Sequence, residues 1–116
     1  MEETTKTKNK KLKQILDLVR ENETEVIARE LNIILNNDDD VKRSYSIGVA
    51  FSISTPSFVI AQEFEEWEKN EDGKYEVARS GVLVKLFYNY YILELYFYDS
   101  DNDSFYFDYH VDAINR

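Results

Sequence analysis

Cysteine is absent from this 116-residue chain. That absence removes disulfides, zinc–thiolate centres and thiol nucleophiles together. There is one histidine, His110, one proline, Pro56, and one tryptophan, Trp67, with only three glycines. A single imidazole leaves little for acid–base or metal chemistry, and no glycine-rich loop is present to cradle phosphate. No apolar run approaches the ~18 residues a membrane span requires, and the first residues lack the apolar core of a signal peptide. These absences predict a cytoplasmic protein with no membrane segment, no cofactor and no bound metal. The length fits one domain, residues 1–116.

Acid and aromatic rings are what the chain has in quantity: 23 Asp and Glu against 14 Lys and Arg, net −9, with nine Tyr and seven Phe. A charge of that sign opposes direct binding to nucleic acid or anionic membranes. It attracts proteins that handle nucleic acid, because their working surfaces are cationic. The charge is uneven: the first twenty residues net +3 and the remainder −12. Residues 1–9 carry no apolar periodicity and are predicted to fray as a basic head. Five lysines at a helix start read as a solvated face.

Residues 10–36 read as helical. Leu12, Ile15, Leu16 and Val19 form one stripe at i, i+3, i+4 and i+7. Asn22 followed by Glu25 reads as a cap and capping box for a second stretch, whose stripe is Val26, Ile27, Leu31, Ile34 and Leu35. Two helices, or one bent helix, satisfy this pattern. Asn36 to Asp40 then read as an acidic loop, since carboxylates oppose the negative end of a helix.

Residues 44–112 read as an antiparallel sheet. Tyr45, Ile47, Val49, Phe51 and Ile53 alternate with small residues and predict a first strand. Thr55-Pro56 turns the chain, residues 57–70 make a second strand, and Asp72-Gly73 marks a hairpin. A two-residue turn there would set Trp67 opposite Ala78, Phe64 opposite Gly81 and Glu66 opposite Arg79, unless Gly81 marks a bulge. The third strand leaves the hairpin at Lys74 and continues through 82–88, and strands follow at 91–99 and 104–111, with turns at Asn89-Tyr90 and 100–103. Short turns between successive strands imply a meander. The fold class expected is α+β, with two N-terminal helices (or one bent helix) packed on a four- to five-stranded antiparallel meander sheet.

Candidate chemistry is thin. Asp108, His110 and Asp112 share one strand face and could hold a metal, but a lone terminal histidine reads as a surface residue. Asp99, Asp101 and Asp103 resemble the start of a calcium loop, yet Ser104 stands where its glycine belongs and His110 where its glutamate belongs. The strongest candidate is a docking surface. Glu63, Glu65 and Trp67 share one strand face, with Glu68 beside them, and carboxylates around a tryptophan suit Arg and Lys of a partner. A protective set of edge charges would account for the glutamates but not for Trp67. Tyr96 and Tyr98 add aromatic surface that so small a monomer cannot cover, which predicts a partner or a homodimer.

Residues 58–68, Phe-Val-Ile-Ala-Gln-Glu-Phe-Glu-Glu-Trp-Glu, and residues 91–97, Tyr-Ile-Leu-Glu-Leu-Tyr-Phe, resemble the anti-CRISPR family directed at type I-D systems in archaeal rod-shaped viruses. Residues 12–22 are similar in pattern. The resemblance implies a small, acidic, non-enzymatic, dimeric viral protein, acting in the host cytoplasm on the large effector subunit of the interference complex. Asp38-Asp39-Asp40 and the strand after Asp99 have no counterpart in that pattern. The expected function is therefore inhibition of a basic nucleic-acid-binding protein, a CRISPR effector subunit or alternatively a nuclease toxin whose immunity protein this chain would be.

Overall fold

The computed structural model describes residues 6–45 and 50–114. The order of elements is α1 (Lys10–Glu21), α2 (Thr24–Asn37), α3 (Asp39–Ser44), β1 (Phe58–Lys69), β2 (Tyr75–Phe87), β3 (Tyr91–Asp99) and β4 (Phe105–Ala113). The four strands form one antiparallel sheet in the order β1-β2-β3-β4. The fold is α+β, with the helices on one sheet face.

The α1 stripe is buried as its spacing requires: Leu12, Ile15, Leu16 and Val19. They meet Ile27, Leu31 and Leu35 of α2, Val41 of α3, and Val82, Val84, Leu86, Leu95, Phe97, Phe105 and Phe107 of the sheet. The chain breaks at Asn22-Glu23, so there are two helices here rather than one bent helix. Asn22 does not cap α2. Its side-chain amide donates to the Leu18 carbonyl at 2.9 Å and closes the end of α1 instead.

The Asp38–Asp40 run is not a loop. Asp38 caps a third helix by accepting from the Asp40 N–H at 2.8 Å, and the next two carboxylates sit in the first turn of α3. The residues that oppose the C-terminus of one helix favour the N-terminus of the next. Asp40 is buried; it takes Lys11 Nζ at 3.0 Å, pairs with Arg43, and accepts the Phe105 N–H at 3.2 Å. Ser44 Oγ accepts the Phe107 N–H at 2.9 Å. Thus α3 closes part of the β4 edge, which would otherwise invite pairing.

The first strand expected from the sequence is not part of the sheet. Residues 39–44 are helical, 46–49 lie outside the described residues, and 50–57 form no strand, with Phe51 and Ile53 held beside α2. Asn32 of α2 donates to the Ile53 carbonyl and accepts its N–H, both at 2.9 Å. Asn36 does the same for Phe51, at 2.8 and 2.9 Å. The inward side chains Phe51 and Ile53 pack against the core. Tyr45, also expected to face inward, packs there too, and Ile47 and Val49 lie outside the described residues. Side-chain amides, not a neighbouring strand, take up the backbone groups of Phe51 and Ile53.

The head is tied down from Thr7 onward. Asn9 caps α1 by accepting from the Lys11 and Leu12 N–H groups, while its amide donates to Asp99 and to the Ser104 carbonyl. Lys10 N–H donates to Asp103 at 3.1 Å. Thr7, Asn9 and Lys10 are thus hydrogen-bonded to the sheet and its last turn, and residues 1–5 lie outside the described residues. Two of the three turn aspartates are spent on fastening the start of α1, which explains a run that resembled a calcium loop.

Candidate functional site

The β1–β2 hairpin outruns the sheet. Strand β2 pairs with β3 only from Gly81, opposite Tyr98, whereas its pairing with β1 continues to Lys69 opposite Tyr75. The distal residues therefore form a two-stranded arm, with no third strand beside it among the described residues. Asn70 builds the tip: its Oδ1 accepts from the Asp72 and Lys74 N–H groups at 3.0 Å, and Gly73 adopts φ +79°. The loop is thus three residues long, with Gly73 in the left-handed region that glycine tolerates.

That extra loop residue shifts the pairing by one. Trp67 stands opposite Val77, not Ala78, and the shift is undone by a bulge at Ala78, so Glu66 still faces Arg79 and Phe64 still faces Gly81. Gly81 is not the bulge. It is required for another reason: a Cβ there would lie 2.0 Å from the Phe97 carbonyl oxygen.

The bulge gives the arm two unlike faces. Trp67, Val77 and Tyr75 fall on one, and they are 56%, 43% and 69% exposed. On the other, Glu68 and Glu76 stand directly opposite each other, an arrangement that costs stability in a sheet. Nearer the sheet, Arg79 binds Glu66 through Nε at 2.9 Å and Nη2 at 2.6 Å, with its guanidinium 4.5 Å from the centre of the Tyr98 ring.

The six residues predicted as a docking set divide between the two sides of the sheet. Glu63, Glu65 and Trp67 lie on the helix-side face, and Glu68, Tyr96 and Tyr98 on the opposite one. Glu63 is engaged within the chain: Thr7 donates to it from both its N–H and its hydroxyl. Burial would raise the Glu63 carboxyl, but the two Thr7 hydrogen bonds and the Lys6 N–H hold it below its ordinary value. Glu65 and Trp67 stay exposed. Tyr75 and Val77 were missed, because their partners depend on a loop length that Asp72-Gly73 alone does not fix.

The face away from the helices is open. At one end Phe58 stacks on Phe87 with centroids 4.2 Å apart. Beyond the Lys85–Glu94 pair at 3.8 Å, Phe64 meets Tyr96 and Tyr98 edge-on at 6.0 and 5.5 Å. Burial, then the Glu94 charge, pushes the Tyr96 phenol above its ordinary range, and burial does the same for Tyr98 against the opposing charge of Arg79. Both hydroxyls are therefore neutral donors at physiological pH. Leu83 is nearly buried among these neighbours, while Tyr106 is largely exposed.

His110 lies on the same face, opposite Glu94. Its predicted companion Asp108 bends toward the sheet edge and accepts from the Tyr45 hydroxyl at 3.4 Å. Among the described residues no group of three His, Asp or Glu side chains is placed to hold a metal ion. A cleft of about 290 Å³ opens at the root of the arm, lined by Thr7, Glu63, Glu65, Ser80 and Asp99 among others. Lys6 also lines this cleft, and within it the Thr7 hydroxyl donates to the Glu63 carboxylate. Among the described residues no helix is long and apolar enough to cross a membrane.

Comparison with models of protein families, with curated proteins and with solved structures returns no match to this chain.

Proposed function

We propose that the protein is a non-enzymatic inhibitor that docks on a cationic, nucleic-acid-handling protein and blocks it. The observation that carries this reading is the arm: a projecting ribbon with exposed Trp67 and Tyr75 set among carboxylates. Few exposed aromatics supply most of the energy of a typical protein interface, and the −9 charge steers the encounter with a basic surface. The sequence resemblance makes a CRISPR effector subunit the first target to test. A nuclease toxin is the alternative, because an immunity protein would use the same physics. The open face, with Phe58 and Ile60 exposed at one end, serves a homodimer in this reading.

The decisive assay adds the purified chain to a type I-D effector complex, and separately to a nuclease toxin, and follows nucleic-acid binding by each. The reading expects a stoichiometric loss of binding for one of them, relieved as salt rises. Intact nucleic-acid binding by both at micromolar inhibitor would overturn it. Light scattering of the chain alone tests the dimer: a monomer at high micromolar concentration removes that part of the proposal.

A further inference from the structure

The exposed face of the arm carries chemistry more particular than negative charge. We propose that Trp67, Tyr75 and Val77 form a receptor for side chains of the partner that prefers arginine to lysine. This rests on the inhibitor reading above and names the partner chemistry that its site selects.

The argument starts from the opposite face of the same arm. There the protein builds an arginine seat from its own residues: the Arg79 guanidinium lies over the Tyr98 ring and forks onto the Glu66 carboxylate. A planar guanidinium can stack on a ring and donate two parallel hydrogen bonds at once, which an ammonium cannot do. The helix-side face of the arm presents the same two components in exposed form. Trp67 offers the best ring for a cation, Tyr75 a second, and Glu65 stands two residues before Trp67 on the same strand face. The one cation already near these rings is Lys69, whose Nζ is 5.9 Å from the centre of Tyr75; Trp67 has no such neighbour among the described residues. Val77, opposite Trp67, gives an apolar floor for the methylene stem of an arginine.

Charge complementarity then selects the occupant. Between Glu65 and Arg79 the chain carries six acidic residues and three basic ones. That excess of negative charge favours a cationic occupant on the ring face, where Glu65 stands beside Trp67, and disfavours an acidic one. The occupant is thus an arginine-bearing segment of a nucleic-acid-handling protein.

Trp67 is the sole tryptophan, so emission excited at the red edge of the tryptophan band, where the nine tyrosines do not absorb, reports this face. The experiment titrates the full chain with nona-arginine and with nona-lysine at equal charge and ~0.15 M ionic strength. The proposal expects nona-arginine to change Trp67 emission at a concentration about threefold or more below nona-lysine. Tyr75→Ala should erase that difference while far-UV circular dichroism stays unchanged. Equal responses to the two peptides, or none, would overturn the arginine receptor. The blockade assay with a Trp67→Ala, Tyr75→Ala double variant separates the two claims. If wild type blocks and the variant blocks equally well, the arm face is wrong and the inhibitor reading stands. If arginine selectivity is present but wild type blocks nothing, the face stands and the inhibitor reading falls.

Discussion

The two halves of the β1–β2 hairpin each set a row of apolar side chains on the helix-side face and meet opposite fates. Near the sheet, Val82, Val84 and Leu86 of β2 are wholly buried under the helices, with Val59 and Ala61 of β1 beside them. Past Gly81 the alternation of β1 carries on to Trp67, and the bulge at Ala78 brings Val77 and Tyr75 of β2 to the same face, all three exposed. The pairing of β1 with β2 continues past that point; the cover ends. Strand β3 stops pairing at Gly81, and α1 lies over the sheet half. Period-two hydrophobicity therefore says which side chains share a face, and the length of the neighbouring elements says whether that face becomes core or contact surface.

Substitutions can break this contrast. Leu86→Ala in the covered half should cost about 2–5 kcal/mol, since it leaves a cavity in the core between helices and sheet; urea denaturation would measure it. Gly81→Ala, at the boundary, should cost near the ~3 kcal/mol upper end of overpacking, because the atom it meets is backbone rather than a movable side chain. A tolerated alanine would mean that β2 and β3 lie farther apart than described.

Acid and alkali act on different joints. The Glu63 carboxyl is held below its ordinary 4.5, so the Thr7 tie contributes stability above that pH and loses it as pH falls through the lowered value. Tyr45 is pushed up to about 12, by burial and then by Asp108, and Tyr88 likewise by burial and then by Tyr91. Unfolded phenols ionise near 10 while these two stay protonated, so stability should decline as pH rises from about 10 to about 12. Thermal melts across both windows, with Glu63→Gln and Tyr88→Phe as controls, would test the assignment. An acid transition unchanged by Glu63→Gln would remove the tie between head and arm root from the account.

The clamps on the segment beside α2 should differ in strength. Asn32→Ala removes two partly buried hydrogen bonds and should cost roughly 1–3 kcal/mol, whereas exposed Asn36→Ala should cost under about 1, because water replaces its partners. The smallest change belongs to the arm: Trp67→Ala should alter stability by no more than about 0.5 kcal/mol and act only on binding. A large loss of stability would show that Trp67 is structural and would dissolve the contrast between the halves.

Much of this was legible in the sequence. The α1 stripe, the last three strands, both later turns, and the facing of Phe64 with Gly81 and of Glu66 with Arg79 follow from periodicity and turn chemistry. The docking set was legible as residue types but not as a place. Asn70 starts the hairpin turn one residue early, and the single-residue shift decides what lies beside Trp67. Helix α3 was hidden because Asp38 to Asp40 read equally well as an ending and as a beginning. The segment at 50–57 was hidden because alternation reports an extended chain and is silent about what accepts its hydrogen bonds.

The Asn32–Asn36 pair carries a lesson in measurement. Four residues of helix advance about 6 Å, while two residues of extended chain advance about 6.6 Å. Carboxamides one turn apart on a helix therefore land, within a fraction of an ångström, on alternate peptide groups of a chain running past them, and each amide offers both a donor and an acceptor. The two rulers drift apart with every added turn, so the match suits a short splice of two rungs rather than a long seam. A helix so furnished can hold a neighbouring strand by its backbone without any sheet at all, and asparagine is the residue that does this; aspartate of the same shape would set oxygen against oxygen at Ile53 and Phe51 and let the segment go.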